Sequence, residues 1–248
     1  MLFARPGEYK PCGIFSLEHF WLIAVTIVCI AIAIKNTYKS SKEEVKKIIK
    51  NCTIMLWIME IFIIIFKLCT GDPRNVNNYV PLYYCSILLY AGTLSSFAKG
   101  KIKRMGDVFL ATGGIIGGIV FILLPTSLPA YPALHIVSLH SFLYHGIMVY
   151  LGLLVNITHY IEVVASDAVY FATLIGIICI LAQIVNKIFD SNLMFISKDF
   201  PGTPITIIYK LTGKHFTAFM EIAQMFLPFY AVYGILKIRD KRKAKLQG

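Results

Sequence analysis

Seven stretches of this 248-residue chain are apolar over about the length of a bilayer's hydrocarbon core, and that pattern removes most folds from consideration. A helical span needs roughly 20 mostly apolar residues. Inside lipid, each backbone polar group must find its partner within its own segment or a closed sheet. The stretches lie near Glu18–Ile34, Cys52–Leu68, Val80–Phe97, Val108–Leu124, His135–Val155, Val169–Ile188 and Phe216–Leu236, the third and fifth interrupted by polar residues. Composition agrees, with 57% hydrophobic and 15% charged residues, too few charges to clothe a water-facing domain of this size. The expectation is an all-α, polytopic membrane helix bundle of about seven transmembrane helices, one domain over residues 1–248 with no internal repeat or linker.

The 24 Lys and Arg against 13 Asp and Glu would suggest nucleic acid in a soluble chain, but their distribution points to topology instead. They gather in three blocks. The first runs from Lys35 through Lys39, Lys42, Lys46, Lys47 and Lys50, and the second holds Lys99, Lys101, Lys103 and Arg104. The third is a tail over about 237–248 with Lys237, Arg239, Lys241, Arg242, Lys243 and Lys245. The positive-inside rule sends all three to the cytoplasm, which predicts the N-terminus outside and the C-terminus cytoplasmic. Met1–Gly13 does not read as a cleavable leader, so the first span is expected to be retained. The six cysteines show no zinc-type spacing, so no metal and no cofactor are expected.

Six of the seven spans carry strongly polar side chains: Glu18 with His19, Glu60, Cys85, His140 with His145, Gln183, and Glu221. Such groups are costly at membrane depth and usually face a bundle interior or cavity. The predicted topology collects these in the outer half of the bilayer. Ser138, Ser141 and His145 follow an i, i+3, i+7 spacing and share one helix face. A thiol or hydroxyl beside an imidazole is the minimum equipment for acyl chemistry, so Cys85 or Ser141 with His145 is a candidate nucleophile and base. Glu60 and Glu221 are candidates to orient the imidazole or hold a proton, with Lys67 and His19 as partners. Ser86, Tyr83 and Asn192 are candidate oxyanion donors. The connection from about Asp190 to His215 reads as a lid or binding element on the outer side.

Phe15-Ser-Leu-Glu-His19, Glu60, Pro81-Leu-Tyr-Tyr-Cys85, Tyr144-His145-Gly146, Ser191-Asn192-Leu-Met-Phe-Ile, Pro201-Gly-Thr-Pro204 and Glu221 follow one another in the order seen in YwaF-like bacterial integral membrane proteins, which the chain resembles over nearly its whole length. Those are distantly similar to the eukaryotic transmembrane protein 164 acyltransferases. The resemblance implies a phospholipid acyltransferase with Cys85 as the catalytic cysteine and His145 as its histidine. The chain departs from the pattern at Tyr83, where histidine is expected, and at Tyr84, where leucine is expected; a tyrosine donates a hydrogen bond but does not replace an imidazole as base.

Two function classes remain open. One is an integral membrane enzyme acting on lipid acyl groups, an acyltransferase or hydrolase of a bacterial plasma membrane, with phospholipid or fatty-acyl substrate as its partner and no nucleic acid. The other is a transporter or small-ligand-binding protein with a polar cavity and Glu60 and Glu221 as protonatable sites; the absence of inverted repeats and paired broken helices speaks against it.

Overall fold

The computed structural model describes every residue except Pro6, Pro73 and Gly248, and the side chains of all but Lys243, Ala244, Leu246 and Gln247 among the rest; the Lys243 side chain of the basic tail thus lies outside the described residues. The helices are α1 (Leu17–Thr37), α2 (Lys42–Thr70), α3 (Ile87–Phe97), α4 (Gly100–Ala111), α5 (Gly113–Leu123), α6 (Ile136–Ile157), α7 (Ala168–Phe189), α8 (Ile205–Thr212) and α9 (Phe216–Gln247). Their ends follow local chemistry. The Ser16 hydroxyl accepts the His19 N–H at 3.1 Å to open α1, Ser41 and Glu44 form a capping box at α2, and Asp190 closes α7 in the left-handed region at φ 54°.

Six stretches are long and apolar enough to cross a membrane: Leu17–Thr37, Lys42–Thr70, Gly100–Leu123, Ile136–Ile157, Ala165–Phe189 and Ile205–Arg242. The chain is therefore a polytopic membrane helix bundle. Apolar exposure on α1 supports this: Ile27, Val28 and Ile32 are each more than half exposed, a face made for lipid rather than water.

Two expected spans differ from what forms. Val80–Phe97 is helical only from Ile87, leaving an 11-residue α3. Pro81 has no N–H to donate and disfavours helical backbone at Val80, so Val80–Ser86 turns back on itself, with the Leu82 N–H donating to the Val80 carbonyl at 2.8 Å. The fourth span begins earlier than expected, at Gly100, and breaks at Thr112 (φ −127°, ψ −80°) into α4 and α5. Irregular backbone at membrane depth persists only where protein covers it; here Leu82, Ser86 and Thr112 are all buried.

α4 is the hub, packing on α3, α5, α6 and α7, while α6 joins α1, α2 and α5 around it. Phe109, Phe171 and Phe229 are fully buried and meet ring to ring, with centroids 5.9 and 5.8 Å apart, tying α4, α7 and α9 together. At one end Arg104 grips Asp167 through Nε and an Nη, and donates to the Glu162 carbonyl. Lys103 pairs with Asp107, which also accepts from the Ser95 hydroxyl. At the other end, Asn186 holds the loop after α7: its side chain engages Ser191, Leu193 and Ser197.

Candidate functional site

Cys85 stands in the turn immediately before α3, rather than within a helix. Its carbonyl takes the Leu88 N–H, in the first turn of that helix, at 3.1 Å, and also the Tyr144 hydroxyl of α6 at 3.2 Å. Its half-buried side chain stands beside Ser86, the residue that caps α3. The Cys85 and Ser86 N–H groups make no hydrogen bond among the described residues.

Around this turn α2 and α6 bring up ionisable side chains. Glu60 and Lys67 of α2 and Cys85 lie within electrostatic reach of one another. Across from Glu60, His140 of α6 places Nε2 at 3.8 Å from the carboxylate Oε2, and that nitrogen is buried without a hydrogen-bond partner. His140 and Tyr144 are four residues apart and so share a helix face, with ring centroids 5.8 Å apart. Tyr144 is the residue bonded to Cys85, so the face of α6 turned to Cys85 carries His140. Glu60, Lys67, Cys85 and His140, all half-buried, and the buried Tyr144 form one polar group where α2, the start of α3 and α6 meet.

The other predicted residues are placed elsewhere or differently engaged. His145 lies about 100° around α6 from Tyr144. It stacks flat on Phe121 of α5 with centroids 3.6 Å apart, its Nδ1 meets the Ser141 carbonyl at 2.7 Å, and its Nε2 is buried and unbonded. No hydrogen bond joins Cys85 to either histidine among the described residues. The Ser141 hydroxyl is turned back to the Val137 carbonyl at 2.7 Å. His19 is buried between the Phe15 N–H and the Ile122 carbonyl, 3.0 Å from each. Glu221 accepts from Gln183 on the α7–α9 seam, beside Cys179. Glu18 is exposed.

Tyr83 and Asn192 belong to a clasp over the Cys85 turn. The Tyr83 hydroxyl donates to the Asn77 carbonyl at 3.2 Å, Asn77 Oδ1 accepts the Asn192 N–H at 2.8 Å, and the Tyr83 ring packs on Phe195 at 5.3 Å. The 190–204 loop is thus fastened down as a cover: Leu193 and Ile196 are fully buried, and Met194 and Phe195 hold left-handed φ of 58° and 53°. The sequence reading followed the Ser138–Ser141–His145 stripe of α6 and left His140 on another face, the one that carries Tyr144 and its contact with Cys85. The i, i+4 spacing of His140 and Tyr144, level with Glu60, was the available signal.

Comparison with known protein families matches residues 14–235 to the TMEM164 family. No curated protein and no solved structure matches the chain.

Proposed function

The chain belongs to the TMEM164 family, and from that premise we propose that it is a lipid acyl-group enzyme of the YwaF-like bacterial branch, with Cys85 as nucleophile. The observation that carries this reading is the Cys85 turn: a broken helix start at membrane depth, with a thiol at its N-terminus and the Glu60–His140 pair on the facing helices. In the reaction, the Cys85 thiol gives its proton to an imidazole of α6, and Sγ bonds to the carbonyl carbon of a lipid ester. The carbon–oxygen bond then breaks, the departing lipid alkoxide takes the proton back from the imidazolium, and a thioester remains. A hydroxyl of a second lipid, or water, gives its proton to the same imidazole and attacks the thioester, restoring the thiol. The N–H groups of Cys85 and Ser86, without a partner among the described residues, are the donors this reading offers to the oxyanion, and the fastened 190–204 loop is the cover that would keep bulk water off the intermediate.

The family resemblance assigns the imidazole to His145, whereas the face shared with Tyr144 favours His140, oriented by Glu60. We assign the proton transfer to His140 and give His145 the role of fixing α6 against Phe121. The test is acyl–enzyme formation in vesicles of phosphatidylcholine, read as the added mass on the Cys85 peptide. Cys85→Ala abolishes it. His140→Gln lowers its rate by roughly 100-fold or more, and His145→Gln by far less. The reverse order returns the role to His145, and full activity in Cys85→Ala removes the cysteine mechanism.

The breaks at Cys85 and Thr112 also give a transporter reading a foothold that the sequence lacked, because carriers build solute sites from discontinuous helices. Solute uptake abolished by Glu60→Gln, with no acyl adduct on Cys85 in the parent protein, selects that reading.

A further inference from the structure

We propose that Lys67 receives the phosphate of a glycerophospholipid whose ester carbonyl stands at Cys85, so that the site reads the headgroup as well as the acyl bond; this rests on the acyl-transfer reading above. Ile49, Thr53, Leu56, Glu60, Ile63 and Lys67 follow one another along α2 at alternating steps of four and three residues, the spacing of a single inward stripe. Ile49, Thr53, Leu56 and Ile63 are buried, and Glu60 meets His140 across the interface with α6. Lys67 is thus a half-buried cation on the packed face of its helix, where lysine rarely stands without a partner. A lysine that only snorkels to water covers apolar surface with its stem on the way out. This one starts from the inward stripe, and Cα–Cβ bonds tilt toward the helix N-terminus, here back toward Glu60.

No described group of the protein takes this charge. The cations of the two loops over the Cys85 turn are paired, Arg74 with Asp72 and Lys198 with Asp190, whereas the Lys67 ammonium has neither an ion pair nor a hydrogen bond among the described residues. Unlike the unbonded His140 Nε2, Lys67 Nζ is not sealed from its surroundings. A half-buried ammonium costs free energy until an anion meets it, and depth identifies the anion. Tyr144 holds the Cys85 carbonyl one helical turn from His140, which faces Glu60, so the Cys85 turn lies near the level of Glu60. Lys67 stands seven residues further along α2, a rise of about 10 Å, part of which its stem spans by leaning back. Thr70 ends the helix, with exposed Asp72 and Arg74 just beyond. Lys67 is therefore at the level of the polar layer, roughly 5–8 Å deep on each side of the hydrocarbon core. In a glycerophospholipid the ester carbonyls border that core and the phosphate stands outward of them. A free fatty acid carries its charge at the carbonyl itself, and a glyceride carries none, so an ammonium outward of the nucleophile fits the phosphodiester.

The test compares acyl–Cys85 formation from dioleoylphosphatidylcholine and from dioleoylglycerol, each carried in micelles of a neutral maltoside detergent. Lys67→Met keeps the side chain's length and removes its charge. It lowers the phosphatidylcholine-to-diacylglycerol ratio of rates by roughly 10- to 100-fold, the worth of one hydrogen bond to a charged group, while Lys67→Arg preserves the ratio. Arg74→Gln, at an exposed cation of the neighbouring loop, leaves it unchanged. An unchanged ratio in Lys67→Met, with acyl–Cys85 still forming, overturns the headgroup role and spares the reaction. A loss shared equally by both donors also overturns it, because the lysine then acts through Glu60 or Cys85. If the parent forms no acyl–Cys85 with either lipid, the reaction fails and Lys67 is judged by binding. Native mass spectra then show one phosphatidylcholine retained by the parent from an equimolar mixture with dioleoylglycerol, lost in Lys67→Met and kept in Lys67→Arg. No retained phosphatidylcholine, or equal retention in Lys67→Met, overturns the proposal. Inorganic phosphate retained in the lipid's place makes this a site for a free anion and overturns the lipid assignment.

Discussion

A buried imidazole with both nitrogens engaged has no capacity left for proton transfer, and by that criterion His19 and His135 are fasteners. The Nδ1 of His19 accepts the Phe15 N–H, so its proton sits on Nε2 and is donated to the Ile122 carbonyl. His135 accepts the Val137 N–H and donates to the Ala4 carbonyl in the same manner. The Nε2 atoms of His140 and His145 are unbonded and free for chemistry. The sequence marks all these residues alike, since a histidine in an apolar run looks the same whether or not a distant carbonyl meets it; Ile122 is 103 residues from His19. His19→Leu leaves the Ile122 carbonyl and the part-buried Phe15 N–H unmet and should destabilise the protein by about 2 kcal/mol. It should lower the melting temperature in detergent micelles while acylation per folded molecule stays unchanged. A lost acylation rate at unchanged melting temperature would make His19 part of the chemistry.

At the scale of elements, apolar length and glycine spacing were legible, and helix continuity was not. The six long spans follow directly from hydropathy. Pro81 carried the signal that Val80–Ser86 is not helical, and the aromatic-rich Tyr83-Tyr84 pair after it completes the break, with Tyr84 packed against Gly113 and Gly117 of α5. The pairing of Lys103 with Asp107 was readable at i, i+4, whereas Arg104 with Asp167 needed the fold. Gly113, Gly114, Gly117 and Gly118 make two overlapping small-residue pairs at i, i+4 in the sequence, a spacing that permits close approach of α5 to a neighbour, and α6 is that neighbour. The glycines are not equivalent, however. A Cβ at Gly118 would stand 2.9 Å from the His145 carbonyl oxygen, a backbone atom that cannot step aside, while one at Gly114 meets nothing closer than 3.4 Å. Gly118→Ala should therefore destabilise by about 1–3 kcal/mol and displace His145 from Phe121. Gly114→Ala should be neutral or stabilising by up to ~1 kcal/mol through helix propensity. Equal melting temperatures for the two variants would show that α5 and α6 slide freely.

For the whole molecule, the fold gathers the three basic blocks at one end, which hydropathy alone did not require. Lys50 lies over the Phe97 ring, 5.4 Å from its centroid, joining the first block to the α3–α4 turn that carries the second. Arg104 of that second block is tied to Asp167 before α7. Lys237 and Arg239, where the third block begins, share a small pocket with His159 and Glu162 of the same α6–α7 connection. The opposite end carries the N-terminal segment, where the Cys12 N–H meets the Tyr131 carbonyl at 3.1 Å, and the Asn77–Asn192 clasp. One strongly basic end and one cover whose few charges are of both signs, Asp190, Lys198 and Asp199, are what the positive-inside rule acts on, so the clasp, and Cys85 beneath it, should belong to the outer leaflet. An impermeant maleimide applied to intact cells should label Arg74→Cys, whose position beside the clasp is exposed, and should leave Lys241→Cys unlabelled until the membrane is opened, each compared with the parent carrying the native cysteines. Labelling of Lys241→Cys in sealed cells, with Arg74→Cys protected, would invert the bundle. The acyl donor would then have to come from the cytoplasmic leaflet.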